Sequence, residues 1–434
     1  MRLNISNKVE YKLIFLLALN YATIIVFPAF GPILGLYSDL ETGLLLSTLF
    51  LFVFSAGIFL LPKFKTELNG KLWKVICLAS IFMVLFFPAF GIMLKGMTMI
   101  LAGLFTARAL LIWSAEYLSN QLDLSYGKFF TSILFLSYAT LYFFNVLSPD
   151  LPGSIAIFFP VAGFSLLLVL HVPNPKATRE NMLPDTKVPS KYLFPIFVIY
   201  ISAGITYAGI YPSIARFELY DRFYNVLPFL ASLPFAYWTH KKRGVKALLW
   251  SGISLLGLSF LFHIYELRVW NYLIIQTLLQ SGWAFMNTFV WIFASDIARI
   301  NRNPYYFSST IATFLMGTSI GSAFYILLCK VFPYPHISFL GLLPILGVLV
   351  FTQMIPDNLK DDIAVLESSQ LEVLTQREKE IFLMLLDNMK NKDIAKSLNI
   401  SPNTLKKHCG SIYRKLYVEN KTGLIKVYGN MKNA

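Results

Sequence analysis

Long apolar runs fill most of this chain of 434 residues and constrain its fold more than any other feature. Each run is roughly 17–25 residues long, the length that an α-helix needs to cross the hydrocarbon core of a bilayer. Helices buried in a large soluble protein would be shorter and would carry a polar face, whereas 56% of the residues here are hydrophobic. We therefore predict an all-α protein with twelve transmembrane helices, at about residues 12–34, 42–62, 72–94, 96–118, 128–147, 153–171, 192–212, 223–240, 245–264, 270–295, 305–330 and 337–354.

The basic residues between these spans predict the orientation of the protein, because cytoplasmic segments carry more Lys and Arg than outer segments. If the N-terminus is cytoplasmic, the inner segments up to residue 304 hold 18 Lys and Arg. The outer segments hold five, which are Lys95, Arg216, Arg222, Arg268 and Lys330. This asymmetry predicts a multi-pass protein of the bacterial inner (cytoplasmic) membrane, with both the N- and the C-terminus in the cytoplasm.

A polar loop, "VPNPKATRENMLPDTKVPSK" at 172–191, separates six spans from six. The resulting halves, 1–171 and 192–354, resemble the layout of the major facilitator superfamily, in which two six-helix halves enclose a central cavity. The resemblance implies the fold of that family. The second inner loop, "KFKTELNGK", lacks the Asp-Arg pair usual there, so active transport is implied less strongly.

Polar side chains within the spans are candidates for a binding cavity, since such groups in hydrocarbon usually face a cavity or a partner. In the layout that the chain resembles, the first, fourth, seventh and tenth helices line the cavity. The alternative is a structural role, in which these polar side chains form interhelical hydrogen bonds and an ion pair. If the cavity binds a ligand, aromatic and amide side chains suit a small aromatic or amphipathic molecule, and an arginine suits an anionic one. The candidate ligand-binding residues are Asn20, Arg108, Glu116, Tyr200, Tyr207, Gln276, Gln280, Trp283 and Asn287.

No arrangement of residues predicts catalysis, a cofactor or a metal site. Cys77, Cys329 and Cys409 are far apart, and the five histidines lack metal-ligand spacing. The segment "GTSIG" at 317–321 matches the Gly-x-Ser-x-Gly pattern of hydrolases, but it lies inside an apolar span with no preceding strand. Small residues at this spacing are typical of close helix packing. We predict that the protein is not an enzyme.

The chain changes character after the last span. Residues 355–373 are predicted to form an acidic linker, and residues 374–434 hold 12 Lys and Arg against 5 Asp and Glu. The segment "LTQRE" predicts a helix that begins with a capping box, in which Thr375 is the N-cap and Glu378 returns the hydrogen bond. Asn388 suits the left-handed backbone conformation that is expected at the end of this helix. A basic, helical cytoplasmic domain is expected.

Two further helices are predicted within this domain. The first covers roughly 391–398 and contributes apolar residues to a core. The second begins with residues that are favoured at a helix N-terminus, namely Ser401 as N-cap and Pro402 at the first helical position. Its apolar stripe, which should pack against the other helices, is Leu405, Cys409, Ile412 and Leu416.

The opposite face of this last helix is polar and basic. In a helix-turn-helix, the second helix enters the major groove of DNA, so basic residues on its exposed face favour DNA binding over a merely soluble surface. Gly410 leaves room for close approach of the helix to DNA. The other residues of the face are Asn403, Lys406, Lys407 and Arg414.

Four segments, "LTQREKEIFLMLL", "NKDIAKSLNIS", "NTLKKH" and "IYRKLYVENKT", resemble the C-terminal domain of LuxR-type (NarL/FixJ-type) transcriptional regulators over about 374–428. The resemblance implies a four-helix domain that binds double-stranded DNA and whose last helix pairs two subunits as a homodimer. It also implies that Lys406 meets DNA, that Thr404, Lys407 and His408 lie beside it, and that Lys392 and Arg414 contact phosphates. Together with Ser401 and Asn403, these form the candidate DNA-binding set.

A membrane domain joined to such a DNA-binding domain resembles a membrane-embedded one-component regulator, in which the receptor and the DNA-binding domain share one chain. We expect a small molecule to bind the membrane domain and to change DNA binding by favouring one conformation. The alternative is a transporter, or a transporter that also reports on its substrate, with a regulatory tail. A third hypothesis is a membrane anchor that only tethers DNA.

Overall fold

The computed structural model describes residues 2–29, 31–63, 70–120, 124–170, 190–214, 222–262, 268–301, 303–329, 374–415, 421 and 424. The chain divides into two compact units, Met1–Asp357 and Asn358–Ala434. In both units the described residues form helices joined by turns.

The first unit, the membrane unit, contains eleven long helices among its described residues. They are α1 Arg2–Val26, α2 Leu40–Leu60, α3 Gly70–Leu85, α4 Ile92–Ser119, α5 Tyr126–Leu147, α6 Phe158–Leu170, α7 Ser190–Ile214, α8 Leu227–Arg243, α9 Val245–Phe262, α10 Val269–Ile300 and α11 Pro304–Cys329.

These helices coincide in order with the first eleven predicted spans. Six of them are long and apolar enough to cross a membrane by length and composition, and three more contain shorter apolar segments. The prediction of an all-α, multi-pass membrane unit is therefore confirmed. The predicted twelfth span at 337–354 and the linker at 355–373 lie outside the described residues, so the count of twelve stays a prediction.

The glycines of "GTSIG" bring α11 against α7. A Cβ atom at Gly317 or Gly321 would collide with backbone atoms of Phe197 or Ile201, and one at Gly204 would collide with the carbonyl oxygen of Thr318. Glycine is required here because the two backbones touch. This observation supports the interpretation of the segment as a packing face.

The two halves of the membrane unit meet along several pairs of helices, among them α2 with α11 and α5 with α8. Between α2 and α11, the Ser55 hydroxyl donates to the Ala312 carbonyl at 2.6 Å, and the Ser319 hydroxyl donates to the Thr48 carbonyl at 3.0 Å. Between α5 and α8, the Tyr138 ring stacks on Phe229 with 3.5 Å between centroids. These contacts flank a central space bordered by α1, α7 and α10.

The second unit contains α12 Gln376–Leu386, α13 Asn391–Ser397 and α14 Pro402–Lys415. The predicted capping box is present at the start of α12. Asn388 has a φ of 57° and is left-handed, as predicted, and Asn399 has a φ of 56° in the turn before α14. The three helices share one apolar core, whose buried members include Ile381, Phe382, Leu385, Ile394, Leu405, Cys409 and Ile412.

Candidate DNA-binding surface and membrane cavity

The helix α14 is built as the sequence predicts. The Ser401 hydroxyl accepts a hydrogen bond from the Thr404 backbone N–H at 3.1 Å and so caps the helix. Leu405, Cys409 and Ile412 are buried, which turns the opposite side of the helix to solvent. The buried stripe therefore fixes which face of α14 a partner can reach.

The exposed side of α14 carries most of the candidate DNA-binding residues. Asn403, Thr404, Lys406 and Lys407 are exposed and His408 is half-buried. A Cβ atom at Gly410 would have no heavy atom within 4 Å among the described neighbours, so the surface is open at this point. Ser401, at the start of α14, and Lys392, on α13, are also exposed, whereas the side chain of Arg414 lies outside the described residues.

A buried carboxylate holds α14 against α12. Glu378 is 4% exposed and closes the capping box, with the Thr375 N–H donating to its Oε2 at 2.8 Å. The Ser411 hydroxyl donates to Oε1 and the Lys415 ammonium to Oε2, each at 2.6 Å. Burial raises the pKa of the Glu378 carboxyl, but the hydrogen bonds from Lys415, Ser411 and Thr375 outweigh it and lower this pKa to about 2.

The sequence identified Glu378 only as part of the capping box. Its partners Ser411 and Lys415 lie 33 and 37 residues further along the chain. Their spacing could have indicated that they act together, because Ser411 and Lys415 are four residues apart and lie on one face of α14. A charged cluster thus sets the position of α14 within its domain.

In the membrane unit, a cavity of about 400 Å³ lies at the ends of several helices. Its wall includes the end of α1, the start of α2, the second halves of α5 and α7, the start of α8 and the first part of α10. Since consecutive spans with short connections run in opposite directions, these parts belong to the end of the bundle where α1 ends. The polar lining includes Asp39, Tyr138, Asn145, Tyr207 and Gln280.

A smaller recess of about 60 Å³ extends the cavity between the halves, and Tyr138 and Tyr207 border both spaces. Here the Tyr200 hydroxyl donates to the Asn287 Oδ1 at 2.7 Å, and the Asn287 Nδ2 donates to the Tyr138 hydroxyl at 3.3 Å. Tyr138 belongs to the first half, and Tyr200 and Asn287 belong to the second, so the network joins the halves.

Toward the opposite end of the bundle, the halves are packed together. The Tyr117 and Ser295 hydroxyls are 2.5 Å apart, and the Ser308 hydroxyl donates to Ser114 at 2.8 Å. Both bonds join the end of α4 to the second half. Aromatic side chains that are almost fully buried surround them, namely Trp113, Phe129, Phe130, Trp291 and Phe307.

The structure brings together five of the nine candidate ligand-binding residues. Gln280 lines the cavity, Tyr207 borders both spaces, and Tyr200, Trp283 and Asn287 line the recess. Asn20 and Gln276 are buried but are not among the lining residues.

Arg108 and Glu116, expected to face the cavity, lie elsewhere. The Arg108 guanidinium lies 4.5 Å from the ring centre of Trp73 on α3, and Glu116 pairs with Lys12 of α1 at 2.7 Å. The helix α4 turns these side chains toward its neighbours rather than toward the cavity. The expectation of an anionic ligand rested on Arg108, so the observed lining gives it no support.

Sequence reasoning missed the contribution of α5, because only the first, fourth, seventh and tenth helices were expected to line the cavity. Tyr138 and Asn145 both line it. They are seven residues apart on one helix face, a spacing that the sequence contains and that could have identified them.

Comparison with known proteins identifies the second unit. Residues 372–428 match the family described as bacterial regulatory proteins, luxR family. The CsgBAC operon transcriptional regulatory protein of Escherichia coli (strain K12) is 44% identical over 55 residues, which are 13% of this chain and 26% of that protein. YhjB of the same organism is 46% identical over 52 residues, 12% of this chain and 26% of its own. The chain thus spans about a quarter of the length of these curated relatives.

The membrane unit is similar in fold to solved transporters. A bacterial homologue of the iron transporter ferroportin, in an outward-facing state, aligns with a TM-score of 0.54 and 13% identity over 80% of this chain and 98% of its own. The human organic anion transporter MFSD10 aligns with a TM-score of 0.52 and 12% identity, over 81% of this chain and 99% of its own. Neither the regulator family nor the transporter-like fold is typical of enzymes. The chain therefore joins a membrane domain of major-facilitator-like fold to a C-terminal DNA-binding domain of the LuxR family.

Proposed function

We propose that this protein is a membrane-embedded one-component transcriptional regulator that senses a small molecule through its membrane domain and binds promoter DNA through α14. The observation that carries this proposal is the presence in one chain of a cavity bordered by both membrane halves and an exposed basic face on a LuxR-type helix. The proposed domains are 1–354 for the sensor, 355–373 for the linker and 374–434 for the DNA-binding domain.

The proposed signal is a change in how the two halves pack. A ligand in the recess competes for the network that joins Tyr138 to Asn287 and Tyr200, and so alters the free energy of one arrangement relative to another. A ligand shifts such an equilibrium only as far as its affinities for the two states differ. This change in packing alters how the DNA-binding domain is presented to DNA or how it pairs with that of a second subunit.

The proposed topology places both termini in the cytoplasm of a bacterium and the protein in the inner membrane. The cavity lies at the end of the bundle where α1 ends, so the ligand reaches it from the side opposite the DNA. The distribution of basic residues supports this orientation.

On DNA, we propose a homodimer that places Lys406 at base edges, with Thr404, Lys407 and His408 beside it. Ser401 and Asn403 lie at the start of the same helix, where they are close to the DNA backbone in the proposed complex. Lys392 and Arg414 contact phosphates, which position the protein without reading sequence.

A genome-wide map of DNA crosslinked to the full-length protein in native membranes tests this function. The matched variant carries Lys406→Ala and Lys407→Ala, and membrane abundance is measured for both proteins. Discrete promoter peaks that vanish in the variant are expected. Absence of peaks in the unaltered protein across growth conditions would remove DNA binding from its function.

A transporter, or a transporter that also regulates, is the second candidate. It is favoured by the cavity and by the similarity in fold to transporters. Uptake into proteoliposomes that is lost with Asn287→Leu but kept with Lys406→Ala would establish it. A sensor shows binding without net uptake.

A further inference from the structure

The recess and the adjoining cavity are lined by aromatic and amide side chains. We propose that the two spaces together bind an uncharged, planar aromatic molecule that carries a hydrogen-bond acceptor, because the recess alone, at about 60 Å³, is smaller than the roughly 150 Å³ that a benzene ring occupies in a protein cavity. This inference rests on the proposed sensing function and narrows its ligand. Three features of the recess support it, namely its aromatic walls, an indole N–H with no acceptor, and the absence of a cation among its described lining residues.

Six of the fourteen residues that line the recess are aromatic. They are Tyr21, Tyr138, Tyr200, Tyr207, Trp283 and Phe314. The rings of Tyr200 and Trp283 are 5.6 Å apart and tilted by 40°, and those of Tyr200 and Phe314 are 4.8 Å apart. Rings at such distances stabilise a further ring by stacked or edge-to-face contact.

Trp283 lines the recess and carries a buried hydrogen-bond donor. Its side chain is 4% exposed, and its indole N–H has no hydrogen-bond acceptor among the described residues. A buried donor without a partner costs free energy, which an acceptor on a bound molecule recovers. A carbonyl or ring nitrogen on the ligand supplies that acceptor.

The charge of the lining disfavours anions. Among the described residues that line the cavity and the recess, the charged side chain is Asp39, an acid at the start of α2. A carboxylate in the recess would lose its hydration without gaining a cation, which is costly in an apolar site. Arg108 on α4 packs instead on Trp73.

Two probes of nearly the same shape separate these requirements. Benzamide is planar, neutral and carries a carbonyl acceptor, whereas benzoate replaces the amide by a carboxylate. Their binding to the full-length protein in lipid nanodiscs is measured by ligand-observed NMR, with empty nanodiscs as the reference for partitioning. We expect benzamide to bind at least about tenfold more tightly than benzoate.

A matched pair of variants tests the donor. Trp283→Phe keeps a ring but removes the N–H, and it should weaken benzamide binding about tenfold. Trp270→Phe makes the same change on the same helix at a side chain that is 76% exposed, and it should leave binding unchanged. Equal or tighter binding of benzoate, no binding of benzamide, or an unchanged affinity in Trp283→Phe would each overturn the proposed ligand class.

Promoter occupancy separates this inference from the proposed function. If occupancy changes in Trp283→Phe while benzoate is the tighter ligand, sensing stands and the ligand class is wrong. If benzamide binds with the expected selectivity while occupancy is the same in Trp283→Phe and the unaltered protein, the site is correct and sensing is wrong.

Discussion

A buried carboxylate with a lysine partner fastens two helices in the DNA-binding domain, whereas uncharged hydroxyls and one amide join the two halves of the membrane domain beside the recess. The membrane halves are also joined by a partly exposed ion pair between Arg222 and Asp150. Glu378 accepts bonds from Thr375, Ser411 and Lys415. The membrane network instead links Tyr138, Asn287 and Tyr200.

The difference has consequences for how each cluster behaves. Breaking a buried charged cluster leaves an uncompensated group and is costly, so it favours a rigid arrangement. Neutral hydrogen bonds contribute about 1 kcal/mol each, which a ligand can replace. We therefore expect the Glu378 cluster to hold α12 against α14 more tightly than the network of Tyr138, Asn287 and Tyr200 holds the two membrane halves together. Four variants and one pH dependence test this difference between the two clusters.

The largest effect is expected at the DNA surface. Lys406→Ala combined with Lys407→Ala removes a proposed base contact and a neighbouring positive charge, so DNA affinity should fall about 100-fold. Binding of the full-length protein in nanodiscs to a promoter fragment, at one fixed salt concentration, measures it. Lys379→Ala, on α12, removes a charge outside the candidate set and should change affinity little. An equal loss in both proteins would mean that only net charge matters.

Removal of the buried charge comes next. Glu378→Gln should destabilise the DNA-binding domain by about 2 kcal/mol, because it weakens the bonds from Ser411 and Lys415. Hydrogen exchange of α12 and α14 in the full-length protein measures this. Glu380→Gln is the control, since its ion pair with Arg377 is exposed and should contribute little. Equal protection in Glu378→Gln and the unaltered protein would show that Glu378 does not fasten the helices.

The same cluster predicts a dependence on pH. Because the pKa of Glu378 is lowered from 4.5 to about 2, its interactions stabilise the folded domain above pH 4.5 and are lost as the pH falls toward 2. Hydrogen exchange, corrected for the intrinsic effect of pH, should show α12 and α14 opening over this window. In Glu378→Gln this part of the pH dependence should disappear. Its persistence would assign it to other groups.

A smaller effect is expected in the membrane network. Tyr200→Phe removes the hydroxyl that donates to Asn287 and should destabilise the membrane domain by about 1 kcal/mol. Tyr11→Phe, at a side chain that is 65% exposed, is the matched control and should be neutral. Thermal unfolding of the membrane domain in the full-length protein compares them. A loss as large as that of Glu378→Gln would erase the proposed contrast between the two clusters.

The smallest effect is expected at Glu116. Its pair with Lys12 is partly exposed, so Glu116→Gln should change stability by roughly 0–1 kcal/mol and leave promoter occupancy unchanged. Thermal unfolding and crosslinking measure the two quantities. Loss of regulation in Glu116→Gln would return this residue to the signalling site and would contradict its position outside the cavity lining.

The sequence predicted the DNA-binding domain in detail because its signals are local. The capping box at Thr375, the left-handed Asn388 and the N-cap at Ser401 each depend on residues within a few positions. The bonds from Ser411 and Lys415 to Glu378 were not predicted, since they join distant parts of the chain. Local sequence patterns specify where helices begin and end, whereas tertiary packing determines which helices are joined by hydrogen bonds to a buried charge.

In the membrane domain the sequence predicted the order of the apolar spans, and it named candidate residues on α7 and α10, of which Tyr200, Tyr207, Gln280, Trp283 and Asn287 line the cavity or the recess. It failed for Arg108 and Glu116, because a span is apolar on all sides and its composition does not reveal which face meets the cavity. It also overlooked Tyr138, which lies on a helix that the superfamily layout does not place at the cavity. The face that each helix presents follows from packing between the halves.

We propose that the state of the membrane cavity controls DNA binding, and a substitution at Asn287 tests this control. Promoter occupancy in native membranes is measured for the unaltered protein and for Asn287→Leu, with membrane abundance as the control. Since Asn287 bonds to Tyr200 and Tyr138, its loss should change occupancy at least about fivefold at equal abundance. Equal occupancy in both proteins would contradict the claim and leave the membrane domain as an anchor.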